Sequence, residues 1–118
     1  MMNAKRVLIV DDDKSILRFF TLILRGKGYI TNTAETGKEA LEKISSQFYD
    51  VALIDVVLPD INGLDLLKSI PSNTKKIVIT GSASEENHHK AQIEGADAFF
   101  LKPIKPDKLL QAVANELT

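Results

Sequence analysis

Two short runs, Val7-Leu8-Ile9-Val10 and Val51-Ala52-Leu53-Ile54, constrain this chain more than anything else in it. Each is apolar at every position. A strand with one wet face would alternate apolar and polar residues, so these strands must be covered on both faces. That is the situation of a parallel sheet with helices above and below it. Each run is followed by acid: Asp11, Asp12 and Asp13 after the first, Asp55 after the second. Ligands of an open parallel sheet bind at the carboxyl ends of its strands. Carboxylates gathered there repel one another and raise each other's pKa values unless a cation joins them. A hard divalent cation such as Mg²⁺, which prefers oxygen ligands, is the natural partner.

The rest of the pattern supplies the cover. Strand one spans residues 6–10 and leads into a helix over roughly 14–25, with Asp13 as N-cap and Ile16, Phe20, Ile23 and Leu24 at helical spacing. Gly26 and Gly28 stop it. Tyr29 to Thr33 alternates as strand two. Thr36-Gly37-Lys38-Glu39 fits a capping box, with Glu39 placed to reach back, and Ala40, Leu41 and Ile44 form the buried stripe of helix two. Strand three is 51–55. Leu58 to Gly63 is a loop, Gly63 allowing the turn before a short helix at about 64–70 that ends before Pro71. Lys76 to Thr80 is strand four, and Lys75-Lys76 reads as solvated loop charge at its start. Ser82-Ala83-Ser84-Glu85 offers a second capping box, opening a helix that runs to about Glu94 and is closed by Gly95. Ala98 to Leu101 is strand five. Pro106 fits the first turn of a last helix whose apolar stripe is Leu109, Leu110, Val113 and Leu117.

Five strands alternating with five helices is the pattern of right-handed parallel βαβ units. The expected fold is α/β, a three-layer doubly wound arrangement with strand order 2-1-3-4-5. Strands one and three are then neighbours, which brings Asp11, Asp12 and Asp55 to one edge. At 118 residues the chain is expected to be one domain, 1–118. Its net charge of −1 gives no electrostatic reason to expect nucleic acid or a membrane as a direct partner. It has no cysteine, hence neither a disulfide framework nor a thiolate metal site. No signal-peptide pattern follows Met1-Met2, and no apolar segment reaches bilayer length, so a cytoplasmic location is expected.

Two more residues complete a site. Thr80 ends strand four, followed by small Gly81 and Ser82, and Lys102 ends strand five before Pro103. Acid, hydroxyl and amine at the ends of strands one, three, four and five resemble the receiver domain of two-component response regulators. The matching stretches are VLIVDDD (7–13), LIDVVLPDINGLDLL (53–67), IVITGSAS (77–84) and GADAFFLKPI (95–104), essentially the whole chain. The resemblance implies the flavodoxin-like (βα)5 fold and a phosphoacceptor switch rather than an enzyme acting on external substrates. Asp55 would accept the phosphoryl group. Asp12 would coordinate Mg²⁺ (or Mn²⁺) directly, Asp11 mainly through water, and Val57 by its backbone carbonyl. Thr80 and Lys102 would engage phosphoryl oxygens, and Phe99 would be the aromatic switch. A cis bond is implied at Lys102-Pro103, affordable only before proline. The implied partners are a sensor histidine kinase or histidine phosphotransfer protein, a downstream protein target or output domain, and a phosphorylation-dependent homodimer.

Rival readings are weaker. A small phosphatase-like hydrolase with Asp55 as nucleophile would place a second acid two residues on, where this chain has Val57. A nucleotide or flavin module would need a glycine-rich or hydroxyl-rich loop after strand one, where Asp11-Asp12-Asp13 would repel phosphate. Asp13 is a cap or a surface acid. His88 and His89 face different directions on a helix and cannot chelate as an i,i+4 pair. That helix has few apolar anchors, so it, strand five and the last helix are expected to form the output face. Phe99 lacks a hydroxyl, so an outward ring would be bare. Neither Val57 nor Ser82 orients water, which implies slow to moderate loss of the phosphoryl group.

Overall fold

A computed structural model describes residues 3–81 and 84–118; the expectations that fall on Met1, Met2, Ser82 and Ala83 lie outside the described residues. In chain order the elements are β1 (Arg6–Val10), α1 (Lys14–Arg25), β2 (Ile30–Ala34), α2 (Gly37–Ser46), β3 (Val51–Ile54), α3 (Gly63–Leu66) with a 3₁₀ turn at Leu67–Ser69, β4 (Lys75–Thr80), α4 (Glu85–Ile93), β5 (Ala98–Leu101) and α5 (Pro106–Glu116). The five strands form one parallel sheet in the order β2-β1-β3-β4-β5. Alternate residues of β1, β3, β4 and β5 feed two cores. Val7, Ile9, Val51, Leu53, Ile77 and Ile79 meet α1 and α5 on one face. Leu8, Val10, Ala52, Ile54 and Val78 meet α2, α3 and α4 on the other. This is the expected three-layer doubly wound fold, and it follows from strands with no polar side. Among the described residues no helix is long and apolar enough to cross a membrane.

The helix starts are built locally. Asp13 accepts from Ser15 N at 2.8 Å and Ile16 N at 3.4 Å, and Thr36 Oγ1 accepts from Glu39 N at 3.0 Å. The Glu39 carboxylate lies 3.3 Å from Lys43 Nζ, one turn along the helix. α4 is capped by Ser84, whose Oγ accepts from Asn87 N at 3.0 Å, so its cap stands two residues later than the box read from Ser82. β2 begins at Ile30 because Tyr29 N still donates to Leu24 O at 3.2 Å, closing the left-handed turn at Gly28 (φ 91°). Leu41 is exposed, since Ala40 and Ile44 suffice to seat α2.

Lys76 corrects the reading of a solvated lysine pair. It is buried in β4, and its Nζ donates to Pro71 O at 3.1 Å and Thr74 O at 3.0 Å. Its parity explains this: Lys76, Val78 and Thr80 alternate with Ile77 and Ile79, so Lys76 points into the α2–α4 layer and must find carbonyl acceptors there.

Candidate functional site

The site stands where four strands end. β1 and β3 pair in register up to Val10 and Ile54, so the residues that follow, Asp11 and Asp55, emerge side by side. Their backbones stay tied to the sheet: Asp11 N donates to Ala34 O and Asp55 N to Val10 O, both at 3.0 Å. β5 delivers Lys102 in the same way, its N–H donating to Thr80 O at 2.9 Å. The Lys102–Pro103 peptide is cis.

Lys102 joins the two acids. Its Nζ lies 2.6 Å from Asp11 Oδ2 and 2.8 Å from Asp55 Oδ2. The other oxygens are held by the backbone: Asp11 Oδ1 accepts from Asp13 N at 2.9 Å, and Asp55 Oδ1 accepts from Val57 N at 3.2 Å. Both carboxylates are buried, at 3% and 6% exposure. Asp12 is exposed beside them, and Asp11, Asp12 and Asp55 each offer an oxygen within 4.8 Å of the others. Thr80 is fully buried at the end of β4. Val57 is 59% exposed, and its side chain offers no acid for hydrolysis. Phe99, opposite Val78 in the β4–β5 register, is half-buried against the α2–α4 core.

The electrostatics are lopsided. Burial pushes the Asp11 carboxyl above its ordinary value of 3.8, and the hydrogen bonds from Lys102 and Asp13 N do not fully offset it. Burial alone would depress Lys102, but its hydrogen bonds to Asp11 and Asp55 win and hold it above 10.5. Lysine is therefore secured as a cation, one ammonium facing three carboxyl groups. Three oxygen donors with a charge deficit are the chemistry that suits a hard divalent cation.

Three features of the site were not evident from the residues alone. A β-carbon on Gly63 would stand 1.9 Å from Asp55 O, so glycine is demanded by close backbone approach under Asp55, beyond any need of the turn. Spacing gave no sign of this contact. Asp60 Oδ1 and Oδ2 accept from Gly37 N and Lys38 N at 2.8 and 2.9 Å, tying the β3–α3 loop to α2. The glycine at the first position of α2 was the available cue. Finally, the His88 ring stacks on Phe99 with centroids 4.8 Å apart and planes 20° apart, so in this conformation the ring is not bare.

Residues 7–114 match the family described as response regulator receiver domain. The response regulator ArlR of Staphylococcus saprophyticus is 36% identical over 110 residues, covering 92% of this chain and 50% of that protein. The DNA-binding response regulator MtrA of Mycobacterium tuberculosis is 31% identical over 115 residues, covering 96% and 50%. The chain thus spans about half the length of the curated relatives it matches. Among solved structures, a CheY-like receiver domain from Methanospirillum hungatei superposes with a TM-score of 0.94 at 42% identity, covering 98% of this chain and 94% of that one. The BeF₃-activated DrrB receiver domain gives 0.90 at 30% identity, covering 98% of each. The chain therefore belongs to the response regulator receiver domain family, signalling domains of two-component systems.

Proposed function

We propose that Asp55 accepts a phosphoryl group from a phosphohistidine of a sensor kinase or phosphotransfer protein, in a reaction that needs Mg²⁺. The observation that carries this reading is Lys102 Nζ bridging Asp11 Oδ2 and Asp55 Oδ2 at 2.6 and 2.8 Å inside a three-carboxylate cluster. An Asp55 oxygen attacks phosphorus, the P–N bond of the donor breaks, and an acyl phosphate forms. Such transfer is mainly positioning plus charge stabilisation. Gly63 packed under Asp55 O and Val57 N on Asp55 Oδ1 fix the nucleophile. Lys102, secured as a cation, turns from carboxylate to phosphoryl oxygen as charge builds there. Held by Asp12, Asp55 and the Val57 carbonyl, with Asp11 acting mainly through water, Mg²⁺ (or Mn²⁺) would neutralise charge that otherwise repels the donor.

The product adds nearly two negative charges, which Thr80 and Lys102 can engage. Charge-assisted hydrogen bonds contribute about 1.5–3 kcal/mol each. About 1.4 kcal/mol is a tenfold change in a population, so two contacts invert a modest two-state bias. Thr80 and Phe99 belong to neighbouring strands on the α2–α4 side, and inward movement of Thr80 frees room for Phe99 to turn. The α4–β5–α5 face then carries the signal to a downstream target, an output domain or a second copy of the chain. The name of MtrA claims DNA binding for a protein about twice as long, and that property is not carried to these 118 residues.

The test is labelling by a small acyl phosphodonor. We expect stoichiometric label with Mg²⁺, none in excess EDTA and none in Asp55→Asn. Full labelling of Asp55→Asn would move the acceptor elsewhere, and steady-state turnover of a generic phosphate ester would favour the hydrolase.

A further inference from the structure

The β3–α3 loop is closed at its base. Val57 and Asn62 face each other in an isolated antiparallel bridge, and Gly63 N donates to Val56 O at 2.7 Å. Its apolar anchoring is thin: between 57 and 62 only Leu58 is buried, with Ile61 partly so. The tip is fastened to a different element. Both oxygens of Asp60 take backbone amides of α2, 23 and 22 residues earlier in the chain. Oδ1 also accepts from Ile61 N at 3.0 Å. An acid suits this place because the first amides of a helix lack internal acceptors and carry the positive end of its dipole. Gly37 keeps the seat open, since a β-carbon there would lie 2.6 Å from Ile61 Cγ1.

We propose that Asp60 is a positioning residue for the cation site, clamping the loop so that the Val57 carbonyl stays fixed beside Asp55. Val57 cannot be held by its own side chain, which is largely in solvent. Its backbone is held by its amide on Asp55 Oδ1, by the base bridge and by the tip. This inference rests on the reading above in which Val57 lends its carbonyl. It adds that α2 is part of the device. Loosening the tip weakens cation binding through the loop, since Asp60 itself bonds to Gly37, Lys38 and Ile61 and not to Asp55 or Lys102.

The test is a Mg²⁺ titration of the full chain by calorimetry, paired with labelling rates across Mg²⁺ concentration. Asp60→Ala is expected to raise the Kd roughly three- to tenfold, at or below the range for groups that touch a metal ligand directly. The Mg²⁺ concentration for half-maximal labelling should rise by the same factor while the limiting rate holds. Gly37→Ala, which forces Ile61 and the tip away with Asp60 intact, should move the Kd in the same direction. Asp60→Asn keeps one acceptor oxygen and should recover part of the loss; these two variants decide the matter if Asp60→Ala unfolds. Val113→Ala, a core truncation on the far face, should lower stability and leave the Kd alone. An unchanged Kd in the loop variants, or an equal shift in Val113→Ala, overturns the clamp. A wild-type chain that binds no Mg²⁺ overturns the cation reading and the clamp with it.

Discussion

Helices α1 and α4 cover the same sheet from opposite faces and are attached by opposite means. α1 buries Leu17, Phe20 and Leu24 and starts on the Asp13 cap. α4 buries only Ala91. Its other attachments include polar and edge contacts: Lys90 to Asp65 at 3.4 Å, Glu94 to Lys68 at 3.7 Å, and the His88 ring on Phe99. Exposed ion pairs contribute about 0–1 kcal/mol, whereas a buried leucine contributes roughly 1.5–3 kcal/mol. One helix is thus held by burial and the other is merely tethered. The tethered one rests its His88 ring on Phe99, the residue proposed above as the switch.

The sharpest way to break this contrast is to truncate one side chain on each helix. Leu24→Ala should lose about 2–5 kcal/mol in urea denaturation. Ile93→Ala, at a site 69% exposed, should stay within about 0.5 kcal/mol. Similar losses from both would mean that α4 is anchored after all. Hydrogen exchange probes the same contrast without mutation. Amides of α4 should open well below the global unfolding free energy and gain protection over 84–101 with an acyl-phosphate mimic, while α1 stays unchanged. Equal protection in both helices and both states would remove α4 from the switch.

The smallest effect concerns charge at the site. The folded-state pKa of Asp11 lies above 3.8 because burial outweighs its hydrogen bonds. The folded chain therefore holds that proton more tightly than the unfolded chain, and ionised Asp11 opposes folding above its folded pKa. In EDTA at pH 7, Asp11→Asn should melt slightly higher than wild type. The gap should close as pH falls toward 3.8 and protonation relieves the wild type. Asp60 has the opposite sign. Its folded pKa is lowered by the amides of Gly37 and Lys38, so its contribution is present above 3.8 and fades in acid below it. A wild type more stable than Asp11→Asn would mean that Lys102 compensates the buried acid in full.

Much of the fold was legible because its signals are local. Continuous apolar runs mark doubly covered strands, helical spacing marks α1 and α5, and Asp13 and Thr36 cap the helices they precede. The acids were placed correctly because parallel pairing in the order 2-1-3-4-5 leaves no other edge for them. Lys76 was misread since two adjacent lysines look solvated; parity along β4 was the overlooked signal. The Asp60 clamp and the fit of Gly63 under Asp55 were invisible, as neither involves residues at a helical or strand repeat.

The sequence by itself therefore determined the layers, the sheet order and which chemical groups stand at the strand ends, because periodicity and end residues act over a few positions. Only the tertiary structure decided how those groups engage. Lys102 meets Asp11 across 91 residues and Asp55 across 47, and no local rule ranks such pairings. They depend on burial and distance, which come into being only when the strands have aligned.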